Sequence, residues 1–280
     1  MARSLRLALL ALLAAALTLG AAPASGRADG SRQLTVMTFN VAHAGLSPTG
    51  LRGVAAVIRS AHPDVVGLQE VDRSWSRSGS VDQAAELGRM LGMHAAFDAN
   101  LDCASRDLDG DGFCQYGTAI LSRRPFVIGS QRQYRLPTPA GEEPRGLARV
   151  TIAAGGRLVD LFNTHLSTVE STRVREVGVI KSLIRRERRP FVLTGDFNAL
   201  PFYLEMVDLR RVARDSLVVA GRPDLRTTAL AHPVRLDYVY LPRPPIDGPP
   251  QRVGVLGARV IYLPRVSDHR PLVVRIRLPG

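Results

Sequence analysis

Lysine is almost missing from this chain. Lys181 is the only one, although 37 basic residues stand against 25 acidic ones and the formal charge is +12. The positive charge is therefore arginine charge, spread along the whole length. It favours anionic partners such as nucleic acid, phospholipid headgroups or phosphorylated small molecules, and an arginine-rich genomic composition explains it equally well, so it does not choose among them. Cysteine is as scarce, with Cys103 and Cys114 alone. No cysteine-rich metal scaffold is possible, and a single disulfide closing a small loop is the pairing expected of an exported chain. Internal repeats and low-complexity blocks are lacking, which excludes a solenoid. Long apolar runs are lacking too, since the longest, Leu7 to Leu19, falls short of the roughly 20 residues that cross a bilayer.

That run has a different reading. Arg3 and Arg6 precede it and Ala22-Pro23-Ala24 follows it, the order of a secretory signal. Residues 1–24 are expected to be a signal peptide, 32–280 to form one domain, and the product to be exported, periplasmic or secreted, without a transmembrane segment after processing and as a monomer.

Along that domain, 33–41 reads as a strand, 49–60 as an amphipathic helix and 64–69 as a short apolar strand. A helix at 83–91 is followed by strand-like runs at 117–121, 126–134, 146–153 and 158–164. A helix at 170–186 leads to a strand at 191–194, and further strands fall at 236–241, 252–261 and 272–277. Strands outnumber helices and follow one another directly, so the expected fold is α/β (α+β): a four-layer sandwich of two mixed, mainly antiparallel sheets flanked by helices.

Polar residues gather at the ends of the apolar runs: Thr38-Phe39-Asn40, Gln69-Glu70-Val71-Asp72, Asn163-Thr164-His165-Leu166, Gly195-Asp196-Phe197-Asn198 and Ser267-Asp268-His269-Arg270. Such groups can converge at one edge of a sandwich without being buried in its core. Singly, each has a bland reading, because a lone Glu after a strand is usually a solvated strand end and a lone His a hydrogen-bonded structural residue. As a set, they match the needs of phosphodiester hydrolysis: oxygen ligands for Mg²⁺, an oriented water and a group that protonates the leaving oxygen.

In this order, the five clusters resemble the endonuclease/exonuclease/phosphatase superfamily, the deoxyribonuclease-I-like fold. The 116–123 segment (Tyr116 to Arg123), Glu143-Pro144-Arg145-Gly146 and Leu236-Asp237-Tyr238-Val239-Tyr240 extend the resemblance over essentially the whole expected domain. It implies a metal-dependent phosphodiesterase using Mg²⁺ or Mn²⁺, held by Glu70 with Asn40 and Asp268. Asp196 would position or deprotonate the attacking water, Asn198 would hold Asp196 or the phosphate, His269 would pair with Asp237, and His165 would bind a phosphate oxygen or protonate the leaving group. Whether Asp196 or His269 is the base stays open. Arg145 and Tyr116 are the expected substrate contacts. Relatives carry a carboxylate partner for the His165-type residue, and the Tyr116-Gly117 region offers none.

The substrate class stays divided between nucleic acid and phospholipid headgroup. The abasic-site and inositol-phosphatase patterns are missing around Ser267-Asp268-His269 and Arg235-Leu236-Asp237-Tyr238, and Trp75 lies away from the position of a sphingomyelinase membrane hairpin. The wording is most similar to short exported bacterial metal-dependent hydrolases. The alternative is a catalytically silent module that binds anionic polymers on the same fold. One further motif, Asp107, Asp109 and Asp111 followed by Gly112, matches the opening of a Ca²⁺ loop, but Thr118 stands where the closing acid belongs, so an acidic turn between the two cysteines is the favoured reading.

Overall fold

A computed structural model describes residues 32–102, 113–244, 253–262 and 266–280. The expected signal peptide, Cys103 and the Asp107/Asp109/Asp111 turn lie outside them. Among the described residues no helix is long and apolar enough to cross a membrane.

Among the described residues twelve strands form two six-stranded sheets. The first has the order β11 (Gly254–Val260), β12 (Leu272–Arg277), β1 (Gln33–Asn40), β2 (Val65–Arg73), β4 (Gln115–Ser122), β3 (His94–Asp102). The second runs β5 (Arg132–Arg135), β6 (Gly146–Ala154), β7 (Arg157–His165), β8 (Phe191–Asp196), β10 (Asp237–Pro242), β9 (Ala213–Asp215). Pairing is antiparallel except between β1 and β2 and between β7 and β8, so each sheet is mixed. Helices α1 (Leu51–Ala61) and α2 (Gln83–Leu91) cover the outer face of the first sheet. The outer face of the second is covered by α3 (Glu170–Ile184) and α4 (Leu204–Leu209), and the short α5 (Ser216–Val219) follows β9. This is the four-layer sandwich expected from the strand-rich pattern.

Side-chain alternation explains where function can sit. In a strand, residues i and i+2 share a face. The inward positions of β1 are Leu34 and Val36, then Thr38 and Asn40; on β7 they are Val159 and Leu161, then Asn163 and His165. On β8 Val192 gives way to Thr194 and Asp196, and on β10 Asp237 precedes Val239 and Leu241. One half of the inter-sheet space is thus a dry aliphatic core. The other half is buried and polar, at the end where β1, β7 and β8 finish and β10 begins.

Between the two halves the sheets are stitched by side-chain amides. Gln69 Nε2 donates to Asn163 Oδ1 (2.7 Å) and Thr194 Oγ1 donates to the same oxygen or to the Phe162 carbonyl (both 3.0 Å). Asn163 Nδ2 reaches back to the carbonyls of Leu68 and Ala119, at 2.7 and 3.0 Å. Gln69 and Asn163 belong to this stitch and do not touch the site. Gly67 is what allows the approach: a Cβ there would collide with Thr194 Oγ1 and stand 2.6 Å from Asn163 Oδ1. Gly67→Ala is expected to cost about 1–3 kcal/mol through overpacking, and thermal unfolding checks it: an unchanged Tm would show that the sheets have slack here.

Several expected elements differ. The run expected as a strand over 126–134 is one bridge, Phe126 to Ile152, then a turn through Gly129 (φ +69°) and the short β5, because the left-handed turn breaks the pairing. Strand β3 was not foreseen, since its Ala-rich sequence hides the alternation and its Asp98 and Asn100 are buried polar groups. Nor were α4, β9 and α5, each too short to show a period. Strand β2 continues past Gln69 to Arg73, with a register shift between Leu68 and Val71.

Candidate active site

That register shift places Glu70. At φ +56° its backbone lies in the left-handed region, a bulge that turns the carboxylate towards the strand end while Val71 and Asp72 resume pairing with β4. Asn40, at the end of β1, donates its amide Nδ2 to Glu70 Oε1 (2.9 Å) and to Asp196 Oδ2 (3.0 Å), while its Oδ1 accepts from the Ala42 N–H (3.0 Å). One buried amide therefore orients two carboxylates. Asn40 thus braces Glu70 and Asp196 through its nitrogen, while its Oδ1, with one hydrogen bond from Ala42, keeps a second lone pair for an ion.

Asp196 is the hub. Register pairs it with His165 on one side and Asp237 on the other. Its Oδ1 accepts from the Asn198 backbone N–H (3.0 Å), made possible by Asn198's positive φ of +47°. Its Oδ2 faces His165 Nε2 at 3.6 Å and His269 Nε2 at 3.5 Å. Burial pushes the Asp196 carboxyl up to about 6; Asp237 adds to the shift, and His269 and Asn40 oppose it.

His269 Nδ1 donates to Asp237 Oδ2 at 2.8 Å. Burial works against the imidazolium, but Asp237 and Asp196 outweigh it and lift His269 to about 10. Asp237 is fixed in turn by its own N–H donating to Thr227 Oγ1 (3.0 Å). The 267–269 turn is anchored by Ser267, whose Oγ donates to the Asn40 carbonyl (2.7 Å) and accepts from the His269 N–H (3.1 Å). Ligand atoms of Asp196, Asp237 and His269 lie within 4.8 Å of one another. The short His269–Asp237 hydrogen bond marks that group as a charge-paired dyad beside a carboxylate, not as a metal cage.

His165 has an opposite setting. Its Nδ1 lies 3.1 Å from Arg145 Nη1 and its Nε2 lies 3.0 Å from Asn198 Nδ2, so both ring nitrogens meet donors. Burial holds His165 well below the ordinary histidine range, and Arg145 and His269 press in the same direction. It is a neutral imidazole. The carboxylate is one residue removed, as Glu143 Oε1 pairs with Arg145 Nη1 at 2.6 Å.

Glu70 is raised by burial, with Asn40 opposing and Asp196 and Asp268 adding to the shift. Glu70 and Asp196, with Asp268 exposed at the mouth, form a hard-oxygen donor set that a divalent cation suits. The residues present fit such an ion.

The profile of the Endonuclease/Exonuclease/phosphatase family matches residues 37–269, the span from β1 through the His269 turn. The chain belongs to that family. Among solved structures it is similar to an endonuclease/exonuclease/phosphatase from Beutenbergia cavernae, at 26% identity over 89% of this chain and 72% of the other, TM-score 0.71. It is also similar to D. rerio TDP2 complexed with a single-strand DNA product, at 18% identity over 88% and 99% of the two chains, TM-score 0.65. A Bacteroides thetaiotaomicron mannosyl-6-phosphatase gives 18% identity over 88% and 100%, TM-score 0.63. No curated protein sequence matches the chain. The two likenesses of lower identity show the fold, which is the family's deoxyribonuclease-I-like one.

All ten residues singled out in the sequence fall at this end of the family fold. Asn40, Glu70, His165, Asp196, Asn198, Asp237 and His269 meet through the contacts above, and Asp268 acts on Glu70 through charge. Arg145 reaches the site through His165. Tyr116 stands at the Glu70 side, its hydroxyl pushed up by burial with Glu70 and Glu143 adding and Arg145 and Arg77 opposing. Sequence reasoning passed over Thr227 and Arg77, and it named Glu143 only within the Glu143-Pro144-Arg145-Gly146 segment, without a role.

Proposed function

We propose that this protein is an exported phosphoesterase that uses Mg²⁺ or Mn²⁺ to hydrolyse phosphodiester bonds by in-line attack of water. The observation that carries the reading is Asp196: one buried carboxylate on which Asn40, Asn198, His165 and His269 all converge. Held by Glu70, Asp268 and the Asn40 amide oxygen, a divalent cation supplies charge neutralisation at the phosphoryl oxygens when bound.

The chain's own groups divide the remaining work. With a pKa of about 6, Asp196 is ionised at neutral pH and suits the orientation of water and acceptance of its proton. His269, at about 10, is then an imidazolium, which supports a role in stabilising negative charge on the phosphoryl group rather than one as base. His165, neutral and with Nδ1 accepting from Arg145, donates to a phosphate oxygen from Nε2 once substrate takes the place of the Asn198 amide that now lies 3.0 Å from that nitrogen. Asn198 Nδ2 holds that ring and the Leu166 carbonyl (2.8 Å) together. Export rests on the 1–24 signal pattern and on the cysteine pair, of which Cys114 is buried beside Trp75, Leu101 and Tyr116.

Metal removal tests the reading. Hydrolysis of bis-p-nitrophenyl phosphate is expected with Mg²⁺ or Mn²⁺, to be lost in EDTA and to return when the ion is restored. Turnover that persists in EDTA would overturn the role given to Glu70 and Asp268.

A further inference from the structure

Beside Glu70, and outside the catalytic constellation, stands a built guanidinium. The short 3-10 turn at Ser76–Ser78 carries Arg77 back over the end of β2, where Asp72 takes its Nε (2.9 Å) and Nη2 (2.7 Å) in a fork. The guanidinium carbon lies 3.8 Å from the Trp75 ring centroid and 5.4 Å from that of Tyr116. Those two rings meet edge to face at 6.2 Å. Asp72 is fully buried, yet the Arg77 side chain is 38% exposed, and its Nη1 has no protein partner among the described residues. Neutralising Asp72 explains the fork. It does not explain why a rigid, stacked guanidinium stays partly exposed beside Tyr116 and close enough to Glu70 for the two charges to act on each other.

Resting on the phosphoesterase reading, we infer that Arg77 is a second anion-binding residue, which selects substrates carrying another phosphate next to the scissile one. Arg145 and His165 serve the scissile group. Arg77, pre-oriented by Asp72 and by stacking, offers its Nη1 hydrogens to the neighbouring phosphate with little further loss of rotamer freedom. A zwitterionic choline headgroup has no anion to place there. A nucleotide chain has one, and so does a headgroup phosphorylated on its sugar.

Trp75 supplies the readout. It is the only tryptophan in the chain and lies against the guanidinium, so its fluorescence reports ligand at Arg77 without turnover. The titration uses the Asp196→Asn variant with Mg²⁺ and compares pTpT with TpT, and glycerophosphoinositol 4-phosphate with glycerophosphoinositol. In one pair, the doubly phosphorylated ligand is expected to bind about tenfold tighter, and the pair that shows this identifies the source of the second phosphate. The preference should fall to about twofold or less when Arg77→Lys is added, which keeps a charge for Asp72 but loses the planar fork. It should also fall in Asp72→Asn/Arg77→Gln, which leaves no buried charge unpaired. Preference lacking in both pairs, or unchanged in these variants, would overturn the inference. Failure of the phosphoesterase reading has a separate signature, namely no turnover of any phosphoester by the unmodified protein whatever it binds.

Discussion

Asp196→Asn lowers kcat on any phosphodiester that the protein hydrolyses by at least about a thousandfold, while the protein stays folded with a Tm close to that of the parent. The two halves of this result come from the same geometry. Asn preserves the shape, and its oxygen can still accept from the Asn198 N–H. It removes a charge whose burial the fold disfavours, as the shift to about 6 shows. What it cannot do is take a proton from water or balance the imidazolium of His269 at 3.5 Å. The relief of that burial offsets the lost Asn40 hydrogen bond and the weakened support of His269, so stability changes little while chemistry is lost. A large fall in Tm with modest loss of kcat would mean that Asp196 is a structural node.

The second large effect belongs to the His269–Asp237 dyad. His269→Ala is expected to reduce kcat about a hundredfold or more, and Asp237→Asn to follow it closely, because Asp237 does most to keep the ring charged. The same pair gives the metal-free protein a pH signature. His269 is raised from 6.5 to about 10 on folding, so its contribution to stability is fully present below about pH 6.5 and is lost as pH rises through about 10. Discounted for its coupling to Asp196, that contribution is about 2–4 kcal/mol. Denaturant unfolding in EDTA at pH 7 and pH 10 should show a loss of this order in the parent and a smaller one in Asp237→Asn. Equal losses would place the proton elsewhere.

How much of this was legible beforehand depends on how local the signal was. Helix α2 and strand β12 could be read to the residue, because one has a clear helical period between Asp82 and Gly92 and the other is a β-branched apolar run that ends in alternation with Arg275 and Arg277. Strand β3 could not, because its alanines mark neither face and two of its buried positions are the polar Asp98 and Asn100. The site residues were visible because alternation brings the inward polar positions of β1, β7 and β8 to one end, so a polar cluster closing an apolar run was itself the signal. Their partners were not. That His165 meets Arg145 instead of a carboxylate depends on the segment before β6 crossing the end of β7. That Asn40 turns its nitrogen to Glu70 depends on Ala42 claiming its oxygen. The Glu70 bulge and the Arg77 stack arise from how β2 leaves its sheet, which no local pattern encodes.

The central claim is that the polar end of the sandwich is a phosphoesterase site organised around Asp196. Its most direct test is hydrolysis of bis-p-nitrophenyl phosphate with Mn²⁺ by the parent protein, by Asp196→Ala and by His269→Ala, assayed side by side. Turnover by the parent that both substitutions abolish is the predicted result. Equal turnover by all three would contradict the account, placing the chemistry outside this constellation.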